Sequence, residues 1–363
     1  MDRTIKIESH EIVALILSVI LTGIFIKLPL FLGMDPNDDM FFFKNGPMIA
    51  LGGLSLYLLM AVRPANLRYI LVSAGVFLGS AVYINLLPSN EESQSVMLVC
   101  LHLPLLLWSV YGLIYMGFDT KNLEKRVAFI KYNGDLVILC ALLSMAGGVL
   151  AGASMSLFYV IKMPVESFIV NYIALWGIVS VPIVSTFLIR NFRIDLHLIA
   201  RIIAILFSPL TLITLIAFLA SIPAAGNNPY SDRNFLLVFN LMLLGIMGLI
   251  AFAVSESATT TQQRFITWIL FLLVFVSLCI DLLALSAILY RLNEYGFSAN
   301  RCAVLGANLL MAGNLSIILM RLYKTIRRKA ELKQVENDIA RYLPAYALWV
   351  AFVAFTFPLL FGI

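Results

Sequence analysis

Long, uninterrupted apolar runs are the feature that most constrains how this chain can fold. Eleven such runs occupy residues 12–33, 45–62, 67–88, 95–117, 134–161, 168–190, 198–220, 235–254, 265–290, 300–323 and 343–362. About 20 apolar residues in a helix span the hydrocarbon core of a bilayer. A bilayer offers backbone groups no hydrogen bonds, and the runs show no barrel-like alternation. The predicted fold class is therefore all-α, a polytopic bundle of about 11 transmembrane helices.

The composition supports one membrane domain rather than a soluble domain with an anchor. Hydrophobic residues make up 61% of the 363 residues and charged residues only 12%, whereas a typical globular protein has about 25% charged residues. The polar stretches are too short for a separate catalytic domain. Residues 1–363 are therefore predicted to be a single transmembrane domain. Because no A-x-A-like cleavage site follows the first run, it is expected to be a retained helix rather than a signal peptide.

The distribution of basic residues predicts the orientation. When Lys and Arg are assigned to alternate sides of the membrane, 19 fall on the side of the N-terminus and 5 on the other side. Basic residues concentrate in cytoplasmic loops. The N-terminus is therefore predicted to lie inside and the C-terminus outside. The net charge of +5 then reports orientation, and no nucleic-acid partner is expected.

The predicted cytoplasmic segment 321–343 has a pattern of its own. Apolar residues recur in it at near-helical spacing between seven basic residues. One interpretation is an amphipathic helix on the membrane surface, with residues 321–341 in contact with anionic inner-leaflet lipid. The other is a cytoplasmic extension of the tenth helix that merely follows the positive-inside pattern. We favour the second interpretation.

Three ionisable residues lie well inside the predicted spans: Lys27, His102 and Asp281. Such residues are costly in a bilayer and commonly mark functional paths. At about 1.5 Å per helical residue, all three fall at a similar level in the outer half of the membrane. Lys27 and Asp281 are therefore predicted to pair, with His102 nearby, at the base of a cavity open to the outside. Asn308, in the outer half of the tenth span, is a further candidate for this substrate or ion path.

Each of these residues also has a structural explanation. Lys27 is long enough to extend its ammonium group toward the outer head groups. Asp281 can serve only to hold helices together through a polar partner, and His102 can be a packed, hydrogen-bonded histidine. The sequence alone leaves these alternatives open.

Two further patterns concern the shape and packing of the helices. Prolines are predicted to interrupt three spans, at Pro104, Pro182 and Pro209. Small residues recur at every fourth position of the fifth run, at Ser144, Gly148, Gly152 and Ser156. Such a stripe allows another helix to approach closely.

The sequence lacks the motifs of common enzymes. It contains no GxSxG, HExxH, P-loop or GxGxxG pattern, so we expect neither an enzyme nor a bound cofactor. Its three histidines are widely spread, which predicts no metal site. The acidic loop MDPNDDM could bind a cation, but a solvated loop is the simpler interpretation. The four cysteines lie in or beside apolar runs and are expected to be packed thiols.

The stretch RLNEYGFSANR, residues 291–301, is a polar island between two apolar runs. It resembles the pattern R-I-x-x-Y-G-[LW]-T-x-x-R, which two sister bacterial families carry between two late membrane helices. Both are domains of unknown function, and family number 4153 is the closer. The matching residues are Arg291, Tyr295, Gly296, Phe297 in the Leu or Trp position, Ser298 in the Thr position and Arg301. The resemblance implies a multi-span, permease-like protein of the bacterial inner (cytoplasmic) membrane, and it implies no substrate.

Capping explains part of this stretch. Gly296 suits the left-handed position that ends a helix, with Phe297 folded back on the last turn. Ser298 suits the N-cap of the next helix.

The charged residues of the stretch are not explained by capping. Arg291 and Arg301 lie on the side where basic residues are sparse. They could pair with Glu294, or they could contact lipid phosphates or an anionic substrate. Together with Tyr295, these residues are predicted to form the outer rim of the cavity.

These features favour a permease-like or flippase-like transporter that moves an unidentified small solute or lipid through an outward-facing polar cavity. The alternative is a non-transporting scaffold or accessory subunit of an envelope complex. A membrane-embedded enzyme acting on a lipid head group comes third, since no nucleophile or acid–base pair stands out. A hydrated cavity containing Asp281 would favour transport, whereas a dry Asp281–Lys27 pair would favour the scaffold.

Overall fold

The computed structural model describes residues 8–31, 33, 39–61, 66–88, 93–160, 166–192, 208–216, 219–220, 233–257 and 263–362. All regular secondary structure in these ranges is helical. The helices are α1 (Ser9–Phe25), α2 (Leu28–Phe31), α3 (Asp39–Ala61), α4 (Leu67–Leu86), α5 (Gln94–Tyr115), α6 (Leu123–Val160), α7 (Glu166–Asn191), α8 (Arg233–Ser257), α9 (Gln263–Tyr295), α10 (Ala299–Ile326) and α11 (Leu332–Phe361). Residues 208–216 are also helical. The all-α prediction is confirmed for the described chain.

Seven of the described helices are long and apolar enough to cross a membrane. They are α4, α5, residues Leu123–Gly148 of α6, α7, residues Arg264–Tyr295 of α9, α10 and α11. The membrane class is therefore supported, and the count of eleven spans and the orientation stay predictions.

The remaining predicted spans differ from these seven for identifiable reasons. The first helix has only 17 residues because a turn at Ile26 and Lys27 interrupts the run. Helix α3 has 23 residues but includes the polar Lys44 and Asn45. Helix α8 has 25 residues, but the side chains at both of its ends lie outside the described residues, and its described apolar stretch is Met242–Val254. Residues 198–207 of the seventh predicted span lie outside the described residues.

Helix α6 is longer than the fifth predicted span, which was expected to start at residue 134. Helix α6 has 38 residues and begins at Leu123, where the side chain of Asn122 accepts a hydrogen bond from the Lys125 amide at 3.3 Å. Its charged first turns are ordered because Phe129 and Tyr132 are buried in the protein. Tertiary packing thus extends the helix beyond the apolar run that the sequence defines.

The proline interruptions predicted for two spans were wrong. Helix α5 runs through Pro104 and α7 runs through Pro182. The Pro182 carbonyl accepts a hydrogen bond from the Thr186 hydroxyl at 2.8 Å. Pro209 lies in the described helical stretch 208–216. Residues 193–207 lie outside the described residues, so the interruption predicted at Pro209 stays a prediction.

The small-residue stripe of α6 packs differently from the prediction. Ser144, Gly148 and Gly152 are exposed. A methyl group added at either glycine would meet no atom within 4 Å. No described helix therefore makes the close approach that the stripe predicts.

The contacts divide the chain into two compact units. The first comprises Met1–Asn90, Leu103–Asp119 and Asn133–Asp195. In it α1, α3 and α7 pack on one another. The Trp176 ring occupies the space that a side chain at Gly23 would need, and its indole N–H donates to the Val19 carbonyl at 3.2 Å. This glycine allows α7 to lie directly against α1.

The second unit comprises Glu91–His102, Thr120–Tyr132 and Leu196–Ile363. Helices α8 to α11 form its bundle, in which α9 packs on α10 and α10 packs on α11. Leucine, isoleucine and valine side chains such as Leu270, Leu315 and Val335 fill its core. The Trp349 ring of α11 lies against Gly306 of α10, where a Cβ would overlap it.

Segment 321–343 is divided between two helices of this second unit. Helix α10 ends at Ile326, and a continuous α11 begins at Leu332, so residues 332–343 are the first turns of the last apolar helix. Leu332, Val335 and Ile339 are buried in the protein core. Six basic side chains remain exposed, at Lys324, Arg327, Arg328, Lys329, Lys333 and Arg341. Their contact with anionic lipid stays a prediction.

Candidate functional site

Asp281 lies in the core of the second unit. It is 0% exposed, on the same buried side of α9 as Ile280 and Ala284. Neither carboxyl oxygen has a hydrogen-bond partner among the described residues. An ionised carboxylate in such surroundings is costly. The group therefore needs either a proton or an accompanying cation.

Polar groups of α10 and α11 lie at the level of Asp281. Asp281 is 16 residues before Phe297 in the α9–α10 turn, and Asn314 is 17 residues after it. At about 1.5 Å per residue, the two positions lie at nearly the same height in the antiparallel helices. The Asn314 side-chain amide donates to the Tyr346 hydroxyl at 3.1 Å. Tyr346 is also close enough to Asp281 for an electrostatic interaction. Three helices thus contribute to one buried polar cluster.

Asn308 is a further buried polar residue of α10. It is 0% exposed, and neither atom of its amide has a hydrogen-bond partner among the described residues. It lies six residues from Asn314, about 9 Å along the helix axis. We call Asp281, Asn308, Asn314 and Tyr346 the polar core cluster.

Lys27 lies in the first unit, at the turn where α1 ends. Its ammonium nitrogen is 4.5 Å from the centroid of the Tyr172 ring. Both residues line an open pocket of about 380 Å³. The predicted pairing of Lys27 with Asp281 is untested and stays a prediction.

His102 is a half-buried residue of α5, in the second unit. Its Nδ1 lies 2.9 Å from the Leu98 carbonyl oxygen. Since a carbonyl only accepts, this contact places a proton on Nδ1 and leaves Nε2 as an acceptor. The contact fits the hydrogen-bonded, packed alternative for His102.

Capping in the α9–α10 turn follows the prediction in two respects. Gly296 has φ +73° and ends α9. Ser298 is the N-cap of α10 and accepts a hydrogen bond from the Arg301 amide at 3.4 Å. Phe297 is 79% exposed, so its predicted return onto the last turn was wrong.

The two arginines of this turn have different surroundings. The Arg301 Nη1 donates to the Tyr295 carbonyl at 2.8 Å and the Gly296 carbonyl at 2.6 Å. Its role is therefore to cap the end of α9. Arg291 faces the Tyr295 ring at 5.9 Å, and its buried Nη1 has no hydrogen-bond partner in the described chain. Within the described residues no ion pair joins Glu294 to either arginine, so that predicted pairing was wrong.

A group of ion pairs near the α10–α11 turn was missed by the sequence reasoning. Arg321 Nε donates to Asp338 at 2.6 Å. Lys131 of α6 pairs with Glu336 at 3.0 Å. Acidic residues among the buried apolar positions of α11 were a local signal for such partners. No local signal joins Lys131 to Glu336, because 204 residues separate them in the chain.

Nothing in the described residues groups three or more His, Cys, Asp or Glu side chains as a metal site would require. Two of the three acidic residues in the loop MDPNDDM, Asp35 and Asp38, lie outside the described residues.

No family model matches the chain, and no curated protein or solved structure matches it either.

Proposed function

We propose that the protein is a permease-like or flippase-like transporter of the bacterial inner membrane. Its eleven spans would place the N-terminus inside and the C-terminus outside. The seven apolar helices of the described chain support the membrane class. The concentration of basic residues on one side supports the orientation, and the resemblance of residues 291–301 to domain family 4153 supports the bacterial location.

The observation that carries the proposal is the buried carboxyl group of Asp281, which has no hydrogen-bond partner among the described residues. A buried polar atom without a partner costs about 1–3 kcal/mol, and more if it is charged. Asn308, also buried in the second unit, has two more such atoms. A helix bundle that only needed polar contacts to hold together would satisfy these atoms. A group that binds and releases an ion or proton lacks a partner in one of its two states. In that state it bears this free-energy cost.

The alternative function, a scaffold or accessory subunit, is favoured by a different observation. Asp281 is fully enclosed between helices, and the described pocket residues do not include it. A permanently protonated carboxyl group that is only packed between helices would account for this enclosure.

Complementation of a deletion strain separates the two functions. Asp281→Asn keeps the shape of the side chain but removes its acidic group, whereas Asp281→Glu keeps an acidic group at this position. For a transporter, we expect Asp281→Asn to reproduce the lipid or metabolite profile of the deletion and Asp281→Glu to restore part of the wild-type profile. Thermal unfolding of both purified variants controls for folding. Full complementation by Asp281→Asn would favour the scaffold.

The proposed topology has its own test. In a cysteine-free background, Phe297→Cys and Lys329→Cys place single thiols in the exposed turns at the two ends of α10. An impermeant maleimide is expected to label Phe297→Cys in intact spheroplasts and to label Lys329→Cys only after lysis. The reverse pattern would invert the proposed orientation.

A further inference from the structure

The Lys27 pocket forms where two helices of the first unit depart from regular α-geometry. Helix α1 ends at Phe25, and a turn at Ile26 and Lys27 leads into the four-residue α2. On the opposite wall, α7 opens with a π-helical stretch, Ile169–Ala174. π-Helical turns and interrupted helices recur at binding sites of membrane proteins because they redirect side chains and backbone groups.

The polar lining of the pocket suits an anion. Lys27 supplies a positive charge, and no described carboxylate of the first unit pairs with it. The Asn171 amide donates to the Ser167 hydroxyl at 3.3 Å. This contact uses one amide hydrogen, which leaves the second amide hydrogen and the hydroxyl proton available to a ligand. An ammonium, an amide and a hydroxyl are a donor set that matches phosphate oxygens.

The rest of the lining is apolar, from Ile26, Pro29, Leu30, Phe42 and Phe168. Leu30 is 42% exposed and Phe168 is 57% exposed. The pocket volume of about 380 Å³ lies in the range of small-molecule sites, roughly 300–1,000 Å³. This is more room than a bare phosphate needs, and the added space is bounded by hydrocarbon.

We infer that this pocket binds the phosphate-bearing head group of an anionic amphiphile, with the phosphate at Lys27, Asn171 and Ser167. The first part of the acyl chain lies along Leu30 and Phe168. The inference concerns binding and does not depend on transport or on Asp281, so it can hold where the proposed function fails.

Equilibrium binding to the full-length protein tests this site. The purified protein is titrated with short-chain phosphatidylglycerol in one series and short-chain phosphatidylcholine in another, and bound lipid is counted by native mass spectrometry. We expect the wild-type protein to prefer phosphatidylglycerol. Lys27→Gln is expected to reduce this preference at least about tenfold, as loss of a charged hydrogen bond would. Lys27→Arg is expected to keep most of it.

A matched control and a second ligand make the result decisive. Arg264→Gln removes an exposed basic residue outside the pocket and is expected to leave the preference unchanged. If Lys27→Gln and Arg264→Gln lost the preference for phosphatidylglycerol equally, the inference would be overturned, because the result would indicate general charge attraction.

Glycerol phosphate is the ligand without an acyl chain and is expected to bind far more weakly than phosphatidylglycerol. Binding of equal strength would overturn the amphiphile assignment.

The folding of each variant is checked by thermal unfolding. Because Lys27 is only half-buried at a turn, Lys27→Gln is expected to fold. If it does not, Asn171→Leu provides a second route, with the same expected loss of phosphatidylglycerol preference. Wild-type preference in folded Lys27→Gln, or in folded Asn171→Leu where Lys27→Gln does not fold, would contradict the site.

Discussion

Asp338 and Asp281 are both buried acidic residues of the second unit, but their partners differ. Asp338 accepts a 2.6 Å hydrogen bond from Arg321. Asp281 has no hydrogen-bond partner among the described residues. A charge buried with its partner is part of the structure, whereas a polar group buried alone needs another explanation. The difference indicates that Asp338 stabilises the α10–α11 end of the bundle, and it is the reason for the functional role that we propose for Asp281.

The largest expected effect comes from replacing each carboxyl group with leucine. Asp338→Leu leaves Arg321 without its carboxylate and is expected to lower the free energy of unfolding by about 2 kcal/mol. Asp281→Leu removes a polar group without a described partner and is expected to preserve or raise stability. Thermal unfolding in detergent measures both. Equal losses would show that Asp281 is structural and would remove the contrast.

A smaller effect is expected inside the polar core cluster. Tyr346→Phe leaves the Asn314 amide without its acceptor, which is expected to cost about 1 kcal/mol. Tyr323→Phe is the control, because Tyr323 is exposed on α10. Denaturation curves of the two variants should differ by this amount. If they coincide, the Asn314–Tyr346 hydrogen bond does not contribute to stability.

The two arginines of the α9–α10 turn extend the same contrast. Arg301→Gln loses two hydrogen bonds to the carbonyl groups that end α9 and is expected to cost about 1 kcal/mol. The rate of amide hydrogen exchange in the last turn of α9 should rise in Arg301→Gln. Arg291→Gln is expected to leave this exchange nearly unchanged. Greater exchange in Arg291→Gln than in Arg301→Gln would reverse the assignment of roles.

The smallest effect concerns Glu11, a paired carboxylate of the first unit that precedes the first apolar run. Burial alone would raise the pKa of Glu11, but hydrogen bonds from Asn191 and Arg190, with the Arg190 charge, hold it below its ordinary value of 4.5. A lowered folded-state pKa stabilises the fold above the unfolded value, and this contribution is lost as the pH falls through the folded value.

We therefore expect a Glu11→Gln variant to be less stable than the wild type at pH 7 by about 0.5 kcal/mol, as is typical of partly exposed pairs. The difference should shrink as the pH falls from 5 to 3. Melting temperatures across this range provide the measurement, and a difference that does not change with pH would contradict the assignment of the charge.

The sequence by itself determined the all-helical class of fold and the caps of the α9–α10 turn. Apolar runs specify helices in a bilayer whatever their neighbours are. The left-handed Gly296 and the Ser298 N-cap depend only on a few adjacent residues, so both could be predicted. The predicted interruptions at Pro104 and Pro182 failed because α5 and α7 continue through these residues. A proline removes one backbone N–H, and membrane helices tolerate this loss.

Only the tertiary structure decided which polar residues meet. It placed Asn314 against Tyr346 and Lys131 against Glu336. It also put Lys27 beside Tyr172 in a pocket. Residue spacing gives the depth of each group along its own helix, but the partner of that group depends on the rotation and packing of helices far apart in the chain. The pairs could therefore not be predicted from the sequence, because pairing is a property of the assembled bundle.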